Sequence, residues 1–578
     1  MEFAEIAGTF RQIERTTGHR QMAALLADLF RRDATDSDIL PYLLQGRLGP
    51  PYAAPDLGLD EHRIALALAK ATGRTEQDVW RRYKEQGDLG RVAEEFLTRE
   101  GQPVSLRQSY DQLLEIAQTT RVGAYEKKVE LFRDLLRHLG GRDARYLVRI
   151  AQGRLRLGVG DATIMDALSV ACVGDTKLRP RIEQAYSFCS DLALVAHTLL
   201  SGEPDALEQI RPTPGRPVLS ALAERLPSAA AITQKLGTVI AEPKYDGLRL
   251  QAHKNGDQIW LFTRRLENVT QAFPEVSRAI LRQILARQAI LDGEVVGYGP
   301  QTGQFLPFQQ TARRRRKHGV LEMEARYPLR YYVFDLLYLN GQDLTPLPLR
   351  ERSQCLRTVV REEVGGPICL TPQLETRDPA KLDDFFGNMV DQGLEGILAK
   401  RPDSPYHAGA RRYNWVKLKR GYEQALADTF DVVVVGYHRG RGKRATLGIG
   451  SLLCAVYDPV GDRFRTVTRV GSGLTDEEWM RMREMLDARS VPEKPRLVDS
   501  TIVPDVWTEP EYVIEVIAGE ITRSPRHTCG KVGKEPGYAL RFPRMSRFRF
   551  DRRPESATTE AEVIALYRQR TVSRRPAA

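Results

Sequence analysis

Residues 1 to about 210 carry the apolar spacing of helices. Phe3, Ile6 and Phe10 repeat at intervals of three and four positions, which places them on one helical face. The segment YEKKVELFRDLLRHLGG at 125–141 shows the same period and ends in glycines, which are typical of a helix C-terminus. The pattern predicts an all-α block over residues 1–210, with its apolar stripes in the core.

A proline- and glycine-rich stretch, RPTPGRPVLS at 211–220, separates this block from a different pattern. Its composition predicts a linker. Short alternating apolar runs then flank Asn255-Gly256-Asp257, which is a hairpin signal. AILDGEVVGYG (289–299) and RYYVFDLLYLNG (330–341) are further strand-like runs that end in turns. We predict an α+β domain with antiparallel sheets over residues 216–420.

From residue 421 the pattern consists mostly of strands. FDVVVVGYHRGRGK (430–443), SLLCAVYDPVGDRF (451–464) and PEYVIEVIAGEIT (510–522) are β-branched runs bounded by glycine turns. Many short strands leave many free edges, and closing them into a small barrel removes those edges. The pattern therefore predicts a β-barrel over residues 421–578.

The charge balance favours a polyanionic partner. The 578 residues include 86 lysines and arginines against 75 acids, so the net charge is 86 − 75 = +11 and the pI is near 9.3. Such an excess is typical of proteins that bind nucleic acid or an anionic membrane surface. A basic protein with neither partner is the open alternative.

Cysteine spacing and the N-terminal segment narrow the class of protein. The six cysteines include no Cys-x-x-Cys pair, so neither a zinc ribbon nor a disulfide framework is predicted, and a reducing compartment fits. The N-terminal segment has no apolar core run, so we expect no signal peptide. We also expect no membrane span, because no uncharged apolar window reaches about eighteen residues.

The hexapeptide KYDGLR at 244–249 is the candidate for covalent chemistry. Chance produces Lys-x-Asp-Gly-x-Arg in well under about one in a hundred such chains. A lysine amine attacks phosphorus only when neutral, a form that neighbouring cations or loss of water favour. Arg249 lies near enough to assist and to hold phosphate oxygens, Gly247 lets the backbone approach phosphates, and Asp246 can bond a ribose or assist a metal. Taken alone, these residues also fit a charged hairpin edge.

Two other phosphate-binding motifs are excluded. GYHRGRGKRA at 436–445 has the wrong spacing for a P-loop, and Arg444 follows its lysine where the motif needs serine or threonine. LGIGSLL at 447–453 lacks the third glycine of a dinucleotide-binding fingerprint. A nucleotide therefore needs another binding device in this chain.

KYDGLR and the motifs after it resemble the signature of the covalent nucleotidyltransferases, which comprise DNA ligases, RNA ligases and mRNA capping enzymes. Each motif alone also fits a core aromatic residue or a solvated charge, but their joint occurrence in order makes coincidence negligible. The motifs extend over more than 300 residues as FTRRLENVT (262–270), LDGEVV (291–296), VFDLLYLNG (333–341), LEGILAK (394–400), RRYNWVKLKR (411–420) and LRFPRMSRFRFD (540–551).

The resemblance implies a role for each matching residue. Lys244 is implied as the nucleophile that takes AMP from ATP, Glu242 as the group that recognises the adenine amine, and Phe334 as the ring that stacks on the base. Glu294 and Glu395 are implied as oxygen ligands of Mg²⁺, Glu294 also contacting the nucleotide. The resemblance implies cationic contacts to the nucleotide from Arg249, Arg264, Arg411, Lys417 and Lys419.

The helical block resembles the DNA-binding domain of ATP-dependent DNA ligases of the archaeal and eukaryotic replicative type. YLLQGRLGPPY, EKKVELFRDLLRHL and IAQGRLRLGVGDATIMDAL carry this resemblance. In RLRLGVGD, we expect Arg154 and Arg156 to pair with DNA phosphates. Gly158 and Gly160 are expected to permit close backbone approach to the minor groove. Such contacts give affinity without sequence preference.

A basic run, RRRRK at 313–317, is expected to touch the DNA backbone through Arg314 and Arg315. The resemblance covers nearly the whole chain and implies three domains. They are an all-α DNA-binding domain at 1–210, an α+β nucleotidyltransferase (adenylation) domain with antiparallel sheets at 216–420, and an OB-fold β-barrel at 421–578.

The implied activity is the ATP- and Mg²⁺-dependent sealing of nicks in double-stranded DNA, in replication, repair and recombination. A monomer in a prokaryotic cytoplasm, associated with the nucleoid, is expected.

Capping enzymes and compact RNA ligases lack the helical domain, and NAD⁺-dependent ligases carry a cysteine zinc site. An RNA ligase or capping-type transferase stays open as an alternative, as does a non-catalytic DNA-binding protein with a ligase-like core. Intact Lys244, Glu294 and Glu395 argue against the last.

Two features depart from the family pattern. The last motif ends in Asp551-Arg552 where the family usually has Asp-Lys, which keeps the charge but changes the geometry of a pyrophosphate contact. FLTREGQPVS at 96–105 lacks the paired aromatic residues of a clamp-binding box, so a sliding-clamp partner is unsupported.

Overall fold

The chain divides into two units, Met1–Lys419 and Arg420–Ala578. The computed structural model describes residues 1–16, 18–32, 34–120, 123–299, 305–306, 308–314, 319–363, 365–419, 429–440, 447–533 and 535–572. The boundary between the units lies beside the predicted one at 420/421. The further division of the first unit near residue 210 stays a prediction.

Helices form the first 201 residues, and Phe3, Ile6 and Phe10 are buried on the inner face of the first helix. Phe10 packs edge-on against Tyr146, with 5.4 Å between ring centroids. The helices are α1 Phe3–Glu14, α2 His19–Arg32, α3 Leu40–Leu44, α4 Glu61–Thr72, α5 Glu76–Gln86, α6 Leu89–Phe96, α7 Leu106–Gln118, α8 Ala124–His138, α9 Gly141–Ala151, α10 Asp161–Val173, α11 Arg179–Cys189 and α12 Leu192–Ser201.

The glycines after α8 have a different role from the predicted one. The helix already ends at His138, and Leu139 is extended. Gly140 is the N-cap residue of α9, and a Cβ on Gly141 would lie 2.5 Å from the Glu94 carbonyl oxygen. These glycines permit the close packing of α9 on α6, so the sequence pattern located the helix but not its end.

The predicted linker at 211–220 is bonded to both of its neighbours. On the helical side, the Leu219 N–H donates to the Ser187 carbonyl and the Ser190 hydroxyl donates to the Pro217 carbonyl, both at 2.7 Å. On the other side, the Val218 N–H donates to Gln251 Oε1 at 2.7 Å. Its proline and glycine content predicted a linker, and these contacts fix residues 211–221, hereafter called the strap, to both neighbours.

Two sheets, with helices between their strands, lie within residues 222–419. The five strands of sheet A run in the order β1-β11-β10-β2-β9, and sheet B runs β4-β3-β5-β6-β7 with β8 beside β6. Two pairings, β1 with β11 and β6 with β8, are parallel, and the others in these sheets are antiparallel. The strands are β1 Leu222–Arg225, β2 Val239–Lys244, β3 Leu248–Asn255, β4 Gln258–Thr263, β5 Gln288–Gly297, β6 Leu329–Leu339, β7 Gln342–Asp343, β8 Ile368–Leu370, β9 Leu374–Thr376, β10 Gly396–Lys400 and β11 Arg411–Lys419.

The hairpin predicted at Asn255-Gly256-Asp257 is present between β3 and β4. Asn255 pairs with Gln258, and Gly256 has a φ of +58°, as a two-residue turn requires. Helices pack beside these sheets as α13 Ala229–Leu236, α14 Pro274–Gln283, α15 Phe308–Ala312, α16 Val320–Arg326, α17 Leu349–Val359 and α18 Pro379–Asp391.

The second unit is rich in sheet. Eight strands join in the order β15-β17-β12-β13-β14-β16, with β18 pairing β12 and β21, while β19 and β20 form a separate ribbon. Among the described residues, these pairings do not by themselves close a barrel. No helix in the described ranges is long and apolar enough to cross a membrane. The elements are β12 Thr429–His438, β13 Ser451–Asp458, β14 Arg463–Val470, α19 Asp476–Asp487, β15 Ser490–Val491, β16 Val498–Asp499, β17 Val506–Thr508, β18 Val513–Ile517, β19 Glu520–Ser524, β20 Gly537–Arg541, β21 Arg544–Phe548 and α20 Glu560–Val572.

Candidate active site

Three strands of sheet A place one acid between two lysines. Gly396 of β10 lies opposite Lys244 of β2 on one side and Lys419 of β11 on the other. Glu395 immediately precedes Gly396, and its N–H donates to the Lys244 carbonyl at 3.2 Å. The Glu395 oxygen Oε2 contacts the Lys244 ammonium and lies 2.5 Å from Lys419 Nζ. The sheet thus joins three motifs that are distant in sequence.

The two ammonium groups keep Glu395 ionised. Burial alone would raise the pKa of Glu395, but Lys244 and Lys419 outweigh burial and hold that pKa below its ordinary value. The side chains of Lys244 and Lys419 are 21% and 27% exposed. A ligand can therefore reach this cluster, which has one negative and two positive charges.

Glu294 is the second acid near Lys244. It lies on β5, opposite Arg249 of β3. Burial raises the pKa of Glu294 to about 7, although the charges of Lys244 and Arg249 oppose the shift. An arriving cation would favour the ionised form of this carboxyl group, because nearby positive charge offsets the loss of water.

The raised pKa of Glu294 predicts a pH dependence of stability. Since its folded pKa of about 7 exceeds the ordinary 4.5, the folded state holds this proton more tightly than the unfolded state. The contribution of Glu294 to stability is complete below pH 4.5 and is lost as the pH rises through about 7. We expect Glu294→Gln to raise the melting temperature, relative to the wild type, more at pH 8 than at pH 5.

The measurement is thermal unfolding of the nucleotide-free protein in a chelator at both pH values. Glu375→Gln is the matched control, because Glu375 lies on β9 of the neighbouring sheet with an exposed side chain paired to Arg350. If the melting temperatures of Glu294→Gln and the wild type differ equally at both pH values, Glu294 does not titrate in this range.

Glu242 lies two residues before Lys244 on β2, so both side chains point to the same face. Glu242 is buried, its oxygen Oε2 lies 2.5 Å from Lys400 Nζ, and Gln373 Nε2 donates to its Oε1 at 2.9 Å. Burial raises the pKa of Glu242, and Lys400 opposes that rise. A buried acceptor of this kind suits a ligand with an amino group.

Phe334 lies in an aromatic cluster beside Glu242. Lys400 Nζ is 4.4 Å from the centre of the Phe334 ring and 4.1 Å from that of Trp415, within the range of a cation–π contact. Sequence reasoning assigned Phe334 to a base but missed Lys400 and Gln373. Lys400 ends the motif LEGILAK, so a signal was present, whereas nothing in the sequence marked Gln373.

Arg249 is held by the protein more firmly than the motif suggested. Its Nε donates to Asp292 Oδ1 at 3.1 Å and its Nη2 donates to Oδ2 at 2.6 Å. Its Nη1 donates to the Ala221 carbonyl at 2.7 Å. Most of its donor capacity is therefore used inside the chain, and it forms part of the wall of the site rather than a free phosphate clamp.

Gly247 also has a packing role within the chain. A Cβ at this position would lie 2.3 Å from the Val295 carbonyl oxygen and 3.0 Å from Glu294 Cγ. The missing side chain permits the chain after β2 to pack against β5. Gly247 therefore brings the lysine strand close to Glu294.

The other predicted phosphate contacts lie on β11 and in the turn after β4. Arg264 is exposed in the turn after β4. Lys417 lies on β11 two residues before Lys419, so the two side chains share a face. Arg411 begins β11, and its side chain lies outside the described residues.

The predicted DNA-binding loop precedes α10. Arg154, Gly158 and Gly160 are exposed there, and Gly158 has a φ of +71°. Arg156 has a φ of +59°, and its Nη1 donates to the Gly87 carbonyl at 3.1 Å. Arg154 and the glycines are thus exposed to solvent, while Arg156 also bonds the loop to the chain after α5.

The structure does not place Arg314 where the basic run predicted it. Its side chain is buried, contacts Glu275 and donates from Nη1 to the Val320 carbonyl at 3.2 Å. Arg314 thus anchors its own segment and does not reach a surface for DNA. A run of like charges suggested exposure, but a buried acid compensates this one arginine. Arg315 lies outside the described residues.

Two carboxylates that interact with Lys244, those of Glu294 and Glu395, are the candidates to hold a metal ion. Among the described residues, no three His, Cys, Asp or Glu side chains form a metal cage. A magnesium ion that accompanies nucleotide phosphates takes only one or two protein carboxylates. Glu294 and Glu395 fit that requirement, because one is a buried acid whose ionised form a cation would favour and the other is ionised beside the lysine.

The chain is similar to known proteins over nearly its whole length. Three family profiles match: DNA ligase N terminus at residues 2–169, ATP dependent DNA ligase domain at 220–419 and ATP dependent DNA ligase C terminal region at 445–552. The chain is 45% identical over 570 residues to the "Probable DNA ligase" of Dictyoglomus turgidum, with 98% of each chain covered. It is 42% identical over 588 residues to "DNA ligase 2" of Thermofilum pendens, covering 98% of this chain and 97% of that one. The solved structure Pmar-Lig_PreS3 is 15% identical and aligns with a TM-score of 0.53 over 94% of this chain and 99% of that one, which shows a shared fold.

Proposed function

The chain belongs to the ATP-dependent DNA ligase family, and from this premise we propose that Lys244 carries AMP from ATP to the 5′-phosphate of a nick. The Lys244 amine loses a proton and attacks the α-phosphate, and the bond to pyrophosphate breaks. AMP then passes to the 5′-phosphate, which frees Lys244. The 3′-hydroxyl attacks that phosphate, forms the phosphodiester bond and releases AMP.

The arrangement of Glu242 and Lys244 on β2 carries this proposal. Both side chains point to one face and are separated by about 6.6 Å along the strand, so one nucleotide spans both. Glu242 accepts from an adenine amino group, and Phe334 offers an aromatic surface beside it. The α-phosphate then lies near Lys244, as in-line attack requires.

Glu395 and Lys419 prepare the site for a polyphosphate. Glu395 holds the Lys244 ammonium in one place, and Lys419 adds positive charge at the same edge. Lys417, Arg264 and Arg411 supply further cations for the leaving pyrophosphate, whose charge must be neutralised. Glu294 and Glu395 are the residues that would hold Mg²⁺, which neutralises phosphate charge.

The DNA-binding part of the proposal uses the loop before α10. Arg154 and Arg156 with Gly158 and Gly160 give backbone contacts that do not depend on base sequence. We further propose that the first unit comprises a helical DNA-binding domain and an adenylation domain, and that the second unit is an OB-type barrel. A monomer that acts on nicked duplex DNA in a prokaryotic cytoplasm, at the nucleoid, fits relatives from a bacterium and an archaeon. A sliding-clamp partner is not part of the proposal.

Replacing Arg154 by alanine is expected to weaken DNA binding but not adenylation of the enzyme. Loss of one phosphate contact should reduce the slope of log affinity against log salt by about 1. The measurement is binding to nicked duplex over a range of salt concentrations. Arg11→Ala is the control, because Arg11 is an exposed arginine on α1 of the same block. Impaired adenylation, or an unchanged salt slope, contradicts the assignment of this loop.

The central experiment uses ATP labelled at the α-phosphate. Wild-type protein is incubated with this ATP and Mg²⁺ and run on a denaturing gel, and nicked duplex DNA is then added. We expect protein-bound label that is discharged as the nick is sealed. The absence of protein-bound label refutes the proposal. A preference for GTP or RNA ends favours an RNA ligase or capping-type enzyme, and neither labelling nor sealing favours a non-catalytic DNA-binding protein.

A further inference from the structure

We propose that Tyr406 is a positioning residue that fixes Arg249 for the adenylation step and ties the adjacent strap to the nucleotide site. Tyr406 lies between β10 and β11 and belongs to none of the family motifs found in the sequence. The inference rests on the proposed function, because it assigns Arg249 to the site where ATP binds.

The Tyr406 hydroxyl joins three elements. It donates to Asp292 Oδ2 at 2.8 Å and accepts the Ala221 N–H at 3.0 Å. It also lies 3.4 Å from Arg249 Nη2 as an acceptor. The single proton of this hydroxyl group goes to Asp292 of sheet B. Its lone pairs face the N–H of Ala221 in the strap and Nη2 of Arg249 in the lysine motif.

The same three elements are joined a second time through Arg249. Arg249 grips both oxygens of Asp292, and its Nη1 donates to the Ala221 carbonyl. Both backbone groups of Ala221 are therefore bonded, one to Tyr406 and one to Arg249. The side chain of Asp292 supplies a negative charge that contacts Arg249 directly.

The ring of Tyr406 has little freedom to move its hydroxyl. It is 4% exposed and meets Trp415 edge-on, with 5.8 Å between ring centroids and an 88° angle between planes. The Tyr406 N–H donates to the Thr345 carbonyl at 2.8 Å. Packing against Trp415 therefore fixes the ring, and the hydrogen bond to Thr345 fixes the backbone. Together they hold the Tyr406 hydroxyl oxygen in one position.

This arrangement constrains what Arg249 can do. With Nε, Nη2 and one Nη1 hydrogen directed at the protein, one Nη1 hydrogen is left for a ligand. Arg249 also lies opposite Glu294 in the strand register. Without the Tyr406 hydroxyl, Asp292 loses one donor and Arg249 loses one acceptor, so the guanidinium group is held less tightly at the nucleotide site.

The strap extends this constraint towards the helical block. Residues 217–219 are bonded to Ser187 and Ser190, and Phe188 between them packs in the same buried cluster as Phe334 and Trp415. Tyr406 therefore stands where the strap meets the surface proposed to stack on adenine. Displacement of the strap at Ala221 removes a contact from both Tyr406 and Arg249.

The test is Tyr406→Phe, which keeps the buried ring and removes only the hydroxyl. We expect the rate of self-adenylation at low ATP concentration to fall about tenfold, as the loss of a hydrogen bond to a charged group predicts. The apparent KM for ATP should rise more than the saturating rate falls. The measurement is single-turnover labelling over a range of ATP concentrations, with the full chain.

Tyr331→Phe is the matched control. Tyr331 is a buried tyrosine whose hydroxyl donates to the Leu250 carbonyl at 2.9 Å. It packs in a different hydrophobic cluster from Tyr406. Tyr406→Phe removes the hydroxyl contacts to Asp292, Ala221 and Arg249, and Tyr331→Phe removes those to the Leu250 and Leu291 carbonyls. Both variants should lose thermal stability, but only Tyr406→Phe should change the ATP dependence. Equal kinetics of the two variants overturn the proposal.

A double-mutant cycle with Arg249→Lys shows whether Tyr406 acts through Arg249. If it does, Tyr406→Phe should have little further effect in the Arg249→Lys background, because coupled residues are not additive. Additive effects of the two substitutions overturn the proposal about Tyr406 and do not contradict the proposed ligase function. Failure of the wild type to form labelled protein refutes the proposed function instead, so the two failures are distinguishable.

Discussion

Replacing Lys244 by alanine is expected to abolish formation of the labelled enzyme. The Lys244 ammonium contacts Glu395 at the end of β2, two residues from the buried Glu242. Lys419 also contacts Glu395, but it lies on β11, across β10 from Lys244. Removing a covalent nucleophile leaves no second group at that point, so we expect a loss of at least about 10⁴-fold in labelling with α-labelled ATP.

The covalent role of Lys244 is separable from its role in the fold. A nick that already carries AMP on its 5′-phosphate needs no lysine adduct, so Lys244→Ala should still seal it. Lys235→Ala is the control, since Lys235 of α13 lies over the Tyr413 ring, 3.3 Å from its centroid, away from the Glu395 cluster; it should label like the wild type. Normal labelling of Lys244→Ala contradicts the mechanism, and failure of that variant to seal the pre-adenylated nick shows a loss of structure instead.

The motifs predicted the site because each one lies on a strand or directly beside one. Lys244, Glu395 and Lys419 are distant in sequence, yet the pairing of three central strands of sheet A places them together at one end of those strands. The motifs therefore named the residues of this charged cluster, but the strand pairing that joins them is seen only in the structure. The sequence also predicted the β3–β4 hairpin. Alternating apolar runs flank its turn, and the glycine of that turn has a positive φ.

Long-range polar contacts account for what sequence reasoning missed. Nothing in the loop around Tyr406 shows that its hydroxyl meets Asp292 and Ala221. The basic run around Arg314 suggested a solvated face, and only the position of Glu275 on α14 shows why one of its arginines is buried. Such pairings depend on tertiary packing, which a local pattern of residue types does not encode.

Replacing Glu395 by glutamine is expected to reduce self-adenylation about 100- to 1,000-fold, the usual cost of removing one electrostatic contact in an active site. Two effects oppose each other in this variant. Loss of the carboxylate removes the ion pair that restrains the Lys244 side chain, which favours attack. The same loss leaves two ammonium groups without their shared counter-charge and removes one of two proposed oxygen ligands for Mg²⁺. Repulsion and misplacement act on the position of Nζ itself, so we expect the loss to dominate.

The sign of the change is the decisive observation. The measurement is the single-turnover labelling rate at saturating ATP from pH 6 to pH 9, beside Glu375→Gln, an exposed acid on β9 of the same sheet. A faster Glu395→Gln would mean that Glu395 mainly restrains Lys244 through their ion pair, and the proposed ligand role would then be wrong. A slower variant whose deficit shrinks as Mg²⁺ is raised places Glu395 at the metal. A deficit that is independent of Mg²⁺ assigns Glu395 to holding Lys244 and Lys419 alone.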